Sequence, residues 1–231
     1  MPSYCIPILC PKAETVLKVI DENASLYDYF EVWLGTIENL DDGFLSALLA
    51  VHAKSLIILF RKKNLEVPFT HERCQYFIRE LANSSAYLDL DIVAQRKEID
   101  FLLQEKLPVK TILSYHNYTA TPPESELREY KKLMIESGAH VCKFSTYCNS
   151  PGDAVRLLQL EVELKQEGRE HIVLGMGEHG AVTRVFGTMW GNKMVFAPRE
   201  AAHASSPGQL TRDEIESAIE IVSRTIHRTN K

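Results

Sequence analysis

A (β/α)₈ barrel is the fold that this 231-residue sequence predicts, on three observations. Short apolar, β-rich runs alternate with amphipathic stretches from end to end, which implies parallel strands joined by right-handed crossovers. About eight such units fit the chain, and its length is the usual one for a single barrel of this kind. The composition, 45% hydrophobic and 25% charged, suits a globular chain that buries one large core. The expectation is one barrel domain over residues 1–231. A doubly wound open sheet with fewer strands is the alternative, because the unit after Ile172–Leu174 has a weak helix.

The predicted strands are Tyr4–Leu9, Phe30–Leu34, Leu56–Phe60, Tyr87–Ile92, Val109–Ser114, His140–Lys143, Ile172–Leu174 and Lys193–Ala197. Pro7 is an anomaly in the first: proline cannot donate to a ladder and a closed barrel has no edge, so a bulge is expected there. Helical patterns fill the gaps. Thr121-Pro122-Pro123-Glu124 reads as a capping box with proline at the first helical position, followed by Leu127, Tyr130 and Met134 and stopped at Gly138. Ser150-Pro151-Gly152-Asp153 opens the next helix, with Val155, Leu158 and Val162 expected on one face. Thr211-Arg212-Asp213-Glu214 opens the last, with Ile215, Ala218, Ile219, Val222 and Ile226 at helical spacing.

The net charge of −5 gives no global attraction to nucleic acid or to an anionic membrane. Five scattered cysteines (Cys5, Cys10, Cys74, Cys142, Cys148) with no CxxC pair fit neither a disulfide framework nor a zinc site, and point to reduced thiols in a cytoplasmic protein. The apolar start Tyr4–Leu9 is too short for a signal segment, and no run approaches the roughly 20 residues that cross a bilayer. The remaining histidines show no metal-ligand spacing, so no metal is expected.

Barrel enzymes carry their chemistry at the C-terminal ends of the strands. Glu31, Arg61, Asp89, Asp91, His116, Lys143, Arg184 and Ser205-Ser206-Pro207-Gly208-Gln209 all fall at such places. Lys143 interrupts a run that otherwise reads as a buried strand. A desolvated lysine is costly unless paired or functional, and desolvation with neighbouring cations would lower its pKa toward the neutral amine that attacks carbonyls. A strand-end lysine snorkelling to solvent is the bland alternative. His116, one βα unit before it, would stand beside it at the barrel mouth and carry protons near neutral pH; taken alone it is an ordinary polar residue after a strand. Arg61 and Arg184 could clamp a carboxylate, or be surface charge. Gly175-Met176-Gly177-Glu178-His179-Gly180 matches GxGxxG but lacks the later ribose-binding acid and a second nucleotide half, so its glycines are expected to serve a tight turn or a close backbone approach.

Ser114-Tyr115-His116-Asn117-Tyr118, Gly138-Ala139-His140-Val141-Cys142-Lys143, Met176 through Arg184, and Ser205-Ser206-Pro207-Gly208-Gln209 together resemble type I 3-dehydroquinate dehydratase, over essentially the whole chain. The resemblance implies a homodimeric barrel of the shikimate route that converts 3-dehydroquinate to 3-dehydroshikimate without metal or added cofactor. It implies that Lys143 forms an iminium with the substrate ketone and that His116 moves the protons. Arg184 matches the carboxylate-binding arginine, Ser205 and Gln209 the loop that closes over substrate, and Glu31 and Arg61 the polar groups that hold substrate hydroxyls and order the site.

The front third departs from the family's pattern. The second strand usually reads Glu-x-Arg-x-Asp; here Trp33 and Gly35 stand where the arginine and aspartate would be. Leu65 occupies the place of the glutamate that orients the histidine, Glu66 comes one residue late, and Pro7 replaces a small polar residue. Lys62 or Lys63 is the nearest charge that could substitute. Two alternatives stand beside the dehydratase: a catalytically silent barrel that binds a shikimate-type acid or a partner protein, favoured by Trp33 and Gly35, and another Schiff-base lyase such as a class I aldolase.

Overall fold

The computed structural model describes residues 2–228. Strands and helices alternate without exception in the order β1 (Tyr4–Ile8), α1 (Ala13–Asn23), β2 (Tyr29–Trp33), α2 (Asp42–His52), β3 (Leu56–Leu59), α3 (His71–Leu81), β4 (Tyr87–Asp91) and α4 (Arg96–Gln104). They continue through β5 (Lys110–Asn117), α5 (Glu124–Glu136), β6 (Val141–Tyr147), α6 (Pro151–Gln166), β7 (His171–Met176), α7 (Ala181–Trp190), β8 (Val195–Phe196) and α8 (Arg212–Arg228). All strand pairs are parallel, and the sheet runs β7-β6-β5-β4-β3-β2-β1-β8. This is the (β/α)₈ barrel that the sequence predicts, and not the open sheet.

Closure is completed without a strand ladder between β7 and β8. The Asn192 side chain bridges that seam instead: its Oδ1 accepts from the Val173 N–H at 2.7 Å and its Nδ2 donates to the Val173 carbonyl at 2.9 Å. The Lys193 N–H reaches the His171 carbonyl at 2.8 Å. Gly187 on α7 makes room, since a Cβ there would lie 2.4 Å from Asn192 Nδ2.

Strand alternation divides the core in two. Val32, Ile58, Leu88, Leu113, Phe144 and Val173 face outward and pack under the helices. Trp33, Ile57, Leu59, Ile112, Val141, Ile172, Leu174 and Phe196 face into the barrel. Interior positions of such barrels are ordinarily filled by branched aliphatics. Here four inward positions near the C-terminal end are charged: Glu31, Asp89, Asp91 and Lys143, all buried.

Several local expectations give way. Pro7 lies in an unbroken register with β2, opposite Glu31, with no bulge. Ser3 and Cys5 offer their carbonyls to the β8 side, so position 7 faces that side too, and there the ladder has already ended after Cys5–Phe196. No donor is missed. Strands β5 and β6 run three and four residues past their expected ends at Ser114 and Lys143, so His116 is a strand residue rather than a loop one. Thr121 does not cap α5; its buried hydroxyl bonds Thr146 Oγ1 at 2.8 Å and the Tyr147 carbonyl at 3.0 Å, and the helix starts at Glu124. Gly138, at φ +75°, does follow the end of that helix.

On α6 the capping box holds: Asp153 Oδ2 accepts from the backbone N–H of Ser150 at 3.1 Å and of Asn149 at 2.8 Å. Its buried face, however, is Ala154, Leu157, Leu160 and Leu164, while Val155 and Val162 are exposed. On α8 Ile215 is buried and Ala218, Ile219 and Val222 are half-buried; Ile226 lies outside the described side chains. The five cysteines are free thiols. No helix among the described residues is long and apolar enough to cross a membrane.

Candidate active site

Neighbouring strands set the centre of the site. Ser114 on β5 pairs in register with Lys143 on β6, and Asp91 on β4 with Ser114. His116 lies one inward step beyond Ser114 and Ser145 one beyond Lys143. A cleft at the C-terminal end of the barrel is lined by Lys143, His116, Glu31, Trp33, Tyr118 and Ser145. Arg184, Leu174, Met176, Phe196, Ser205, Ser206, Gln209 and Lys63 complete the lining. The barrel thus brings together Lys143, His116, Glu31, Arg184, Ser205 and Gln209. Arg61, the seventh residue singled out in the sequence, is fully buried and lies outside this lining.

Lys143 Nζ donates to Glu31 Oε1 at 2.9 Å and to Asp89 Oδ2 at 2.8 Å, and sits 4.3 Å from the centre of the Phe196 ring. Burial pulls its pKa down, but Asp89 and Glu31 more than offset this and hold it above the usual lysine value. The expectation of a pre-lowered lysine is therefore reversed: Lys143 is held as an ammonium. Two carboxylates at contact distance outweigh one guanidinium, Arg61.

Arg61 is the hub behind this pair. Its Nη2 donates to Asp89 Oδ1 at 2.8 Å and its Nη1 to the Asp89 carbonyl at 3.0 Å and Gln95 Oε1 at 3.3 Å. Burial would raise the Asp89 carboxyl, yet Arg61 and Lys143 override it and keep that group ionised, well below the carboxylate range. Ser114 Oγ adds a 2.6 Å bond to Asp89 Oδ1. Arg61 Nη2 also stands 3.5 Å from His116 Nε2.

His116 is oriented by Asp91. Asp91 Oδ2 accepts from the His116 backbone N–H at 3.1 Å and meets its Nδ1 at 3.0 Å. Asp91 Oδ1 is held in turn by the N–H groups of Val93 and Ala94 at 3.0 and 2.9 Å. An acidic partner fixes the proton on Nδ1 and leaves Nε2 as the free base. Burial lowers the His116 pKa below its ordinary value, Arg61 lowers it further, and Asp91 opposes both, so the ring is neutral at pH 7. Glu66 takes no part: it is exposed and turned to Lys62 and Asn64, at 3.4 and 3.3 Å.

The orienting pair was readable in β4, where Asp89 and Asp91 alternate with Leu88 and Leu90. Two carboxylates on one face of a buried strand require cationic partners. Gly35 has a steric cause, since a Cβ there would lie 2.7 Å from the Phe60 carbonyl oxygen, where the chain passes the end of β3. Trp33 is 7% exposed, lines the cleft, and its indole N–H donates to Glu31 Oε2 at 2.7 Å.

In the same lining, Arg184 near the start of α7 is 1% exposed and has no carboxylate partner among the described residues. Its Nη2 donates to Ser206 Oγ at 3.0 Å, while Nε and Nη1 have no acceptor. Burial brings its pKa down to about 10, still a cation at neutral pH. A buried guanidinium with N–H groups left without an acceptor can receive a carboxylate. Ser205 and Gln209 tie their loop to β8: Gln209 Oε1 accepts from the Ser205 N–H at 2.6 Å and its Nε2 donates to the Phe196 carbonyl at 2.9 Å. The glycines of the GxGxxG run serve a close backbone crossing. Gly177, at φ +79°, donates to the Pro207 carbonyl, and a Cβ on Gly208 would lie 2.2 Å from the Gly177 oxygen.

The chain is similar to known proteins over most of its length. A family model described as type I 3-dehydroquinase matches residues 4–226. The 3-dehydroquinate dehydratase of Alkaliphilus oremlandii is 26% identical, covering 97% of this chain and 93% of the relative. That of Enterococcus faecalis is 28% identical, covering 91% and 88%. The match to the Methanosarcina mazei enzyme, 28% identical, spans only 57% of that relative, under two thirds of its length. Among solved structures, the Geobacillus kaustophilus 3-dehydroquinate dehydratase superposes with a TM-score of 0.81 at 22% identity, over 97% of this chain and 92% of that one. A Clostridium difficile type I enzyme with covalently modified comenic acid gives 0.82 at 22% identity, over 97% and 93%. At these identities the superpositions speak for the barrel fold.

Proposed function

The chain belongs to the type I 3-dehydroquinase family, and from that premise we propose that it dehydrates 3-dehydroquinate to 3-dehydroshikimate through a Schiff base on Lys143. One observation supports this most: a buried lysine, an oriented neutral histidine and an arginine with two unpaired N–H groups face a single cleft. Arg184 receives the substrate carboxylate, and this fixes which end of the ring reaches Lys143. The Lys143 amine adds to the ketone and, with loss of water, gives an iminium. His116 Nε2 takes the adjacent C–H proton, and the electron pair moves into an enamine that the nitrogen stabilises. His116 then returns the proton to the departing hydroxyl, and water hydrolyses the conjugated iminium to release the enone. One water is consumed and two are released, so the net change is a single dehydration, the work of a carbon–oxygen lyase.

In this scheme Ser205 and Gln209 close the cleft over the acid, and Glu31 lies at the Lys143 end. Arg61 acts through Asp89 and His116 rather than by touching substrate. The family's pattern also supports a homodimer working in the cytoplasm on a small acid, with neither nucleic acid nor membrane as partner.

Treating the intact protein with 3-dehydroquinate and borohydride, then mapping the modified peptide by mass, tests the reading. An adduct on Lys143 at the mass of the substrate less an extra water is expected, and it should vanish in Lys143→Ala. A second reading, a silent barrel that binds such an acid without turnover, is favoured by Trp33 occupying Glu31 Oε2 within the cleft. Tight binding of 3-dehydroquinate by a folded protein that forms no adduct would select it.

A further inference from the structure

This inference rests on the Schiff-base reading above and concerns where the Lys143 proton goes. An ammonium has no lone pair, so Lys143 must lose a proton before it can attack a ketone. It contacts two carboxylates, Glu31 at 2.9 Å and Asp89 at 2.8 Å, both buried. Their remaining oxygens are held in different ways. Asp89 Oδ1 is paired with the Arg61 guanidinium at 2.8 Å, whereas Glu31 Oε2 meets the neutral indole N–H of Trp33 at 2.7 Å.

That asymmetry decides the acceptor. Once Lys143 is neutral, Asp89 still has a cation against it, but Glu31 faces an amine and an indole. A buried carboxylate without a counter-charge is costly, and protonation removes the cost. We propose that Glu31 is a further catalytic residue, taking the proton from Lys143 Nζ and so releasing the nucleophilic amine. In this step an Nζ–H bond breaks with its electron pair left on nitrogen, and an O–H bond forms on Glu31 Oε1. The same proton then goes to the hydroxyl that leaves the carbinolamine as water, which restores the carboxylate as the iminium charge appears beside it. No outside acid or base is needed. Trp33 is a positioning residue, whose N–H holds Oε2 and keeps Oε1 turned to Nζ.

The other groups near Lys143 do not compete. Burial pushes the Cys5 thiol on β1 and the Tyr118 phenol after β5 upward, so neither is an anion. Arg61 is a cation, and the hydrogen bonds of Lys143 Nζ go to Glu31 and Asp89, not to His116 Nε2.

The test is the single-turnover rate of borohydride-trapped adduct with 3-dehydroquinate between pH 7 and 9. In the wild type the proton moves within the Lys143–Glu31 pair, so the rate is expected to be flat. In Glu31→Gln the amine has to be freed by solvent. The rate should be lower at pH 7 and climb about tenfold per pH unit while the lysine pKa lies above the range. Glu31→Asp should keep the flat profile at a reduced rate, which a merely space-filling role would not produce. If Glu31 only holds the ammonium in place, its removal frees the amine, and Glu31→Gln would form adduct as fast or faster at pH 7; that outcome overturns the proposal. So does a wild-type rate that itself climbs about tenfold per pH unit, which requires no folded variant. A wild type that forms no adduct at any pH overturns it together with the Schiff-base reading, whereas a pH-flat Glu31→Gln overturns it alone.

Discussion

Asp91 divides its two oxygens between a loop and a ring: Oδ1 is gripped by two backbone N–H groups, and Oδ2 meets His116. Its charge raises a histidine pKa that burial and Arg61 depress. In Asp91→Asn that support is lost and an amide can favour the other tautomer. The plateau of kcat should fall by about 100-fold or more, the scale of general acid–base catalysis. The sign of the pH effect follows. The histidine must be neutral to act, so a lower His116 pKa moves the acid limb of the kcat profile to lower pH, opposite to a simple loss of stability. A pH–rate profile of the variant checks both. At this scale Lys143 stood out by breaking an apolar run, His116 by lying one βα unit before it, and Arg184 through the family resemblance, and the barrel brings all three to one cleft. The Lys143 protonation state was not legible, since it depends on two carboxylates 112 and 54 residues away.

The helices show why element boundaries are harder to read than element types. Thr121-Pro122-Pro123-Glu124 and Ser150-Pro151-Gly152-Asp153 look alike in sequence, yet only the second caps a helix. The Thr121 hydroxyl finds a better-placed partner on β6, a tertiary bond that local pattern cannot show. The buried face of α6 differs from the expected one for a related reason: valines at 155 and 162 sit at helical spacing, but so do Ala154, Leu157, Leu160 and Leu164, and the latter set is larger. Alternation of strands and helices was legible throughout, because it rests on repeated patterns rather than on single contacts. Asp153 offers a check of the capping box. Asp153→Ala leaves the N–H groups of Asn149 and Ser150 without their acceptor and should cost about 1–2 kcal/mol in urea unfolding, with adduct formation on Lys143 unchanged.

Across the whole molecule, the proposed reaction asks a chain of net charge −5 to draw in an anionic substrate. The interior resolves this by cancelling Lys143 against Glu31 and Asp89 while leaving Arg184 without a carboxylate partner among the described residues. The positive charge is spent at one spot. The seam where β7 and β8 share no ladder is likewise bridged by one side chain, Asn192, beside the backbone bond from Lys193 to His171. Asn192→Ala would leave the buried N–H and carbonyl of Val173 unpaired, and urea unfolding should show a loss of about 2–4 kcal/mol.

That seam also determines what the protein exposes when it begins to come apart. A barrel has no edges only while every junction holds, and this one rests on the Asn192 amide and one backbone bond, from Lys193 to His171. Opening there would uncover the apolar run His171-Ile-Val-Leu-Gly-Met176 as a free strand edge, a template on which a second opened copy can add its own strand. On heating, aggregation through β7 is expected before the helices melt, and turbidity followed beside far-ultraviolet ellipticity checks the order. Asn192 thus protects the solubility of the fold as much as its stability.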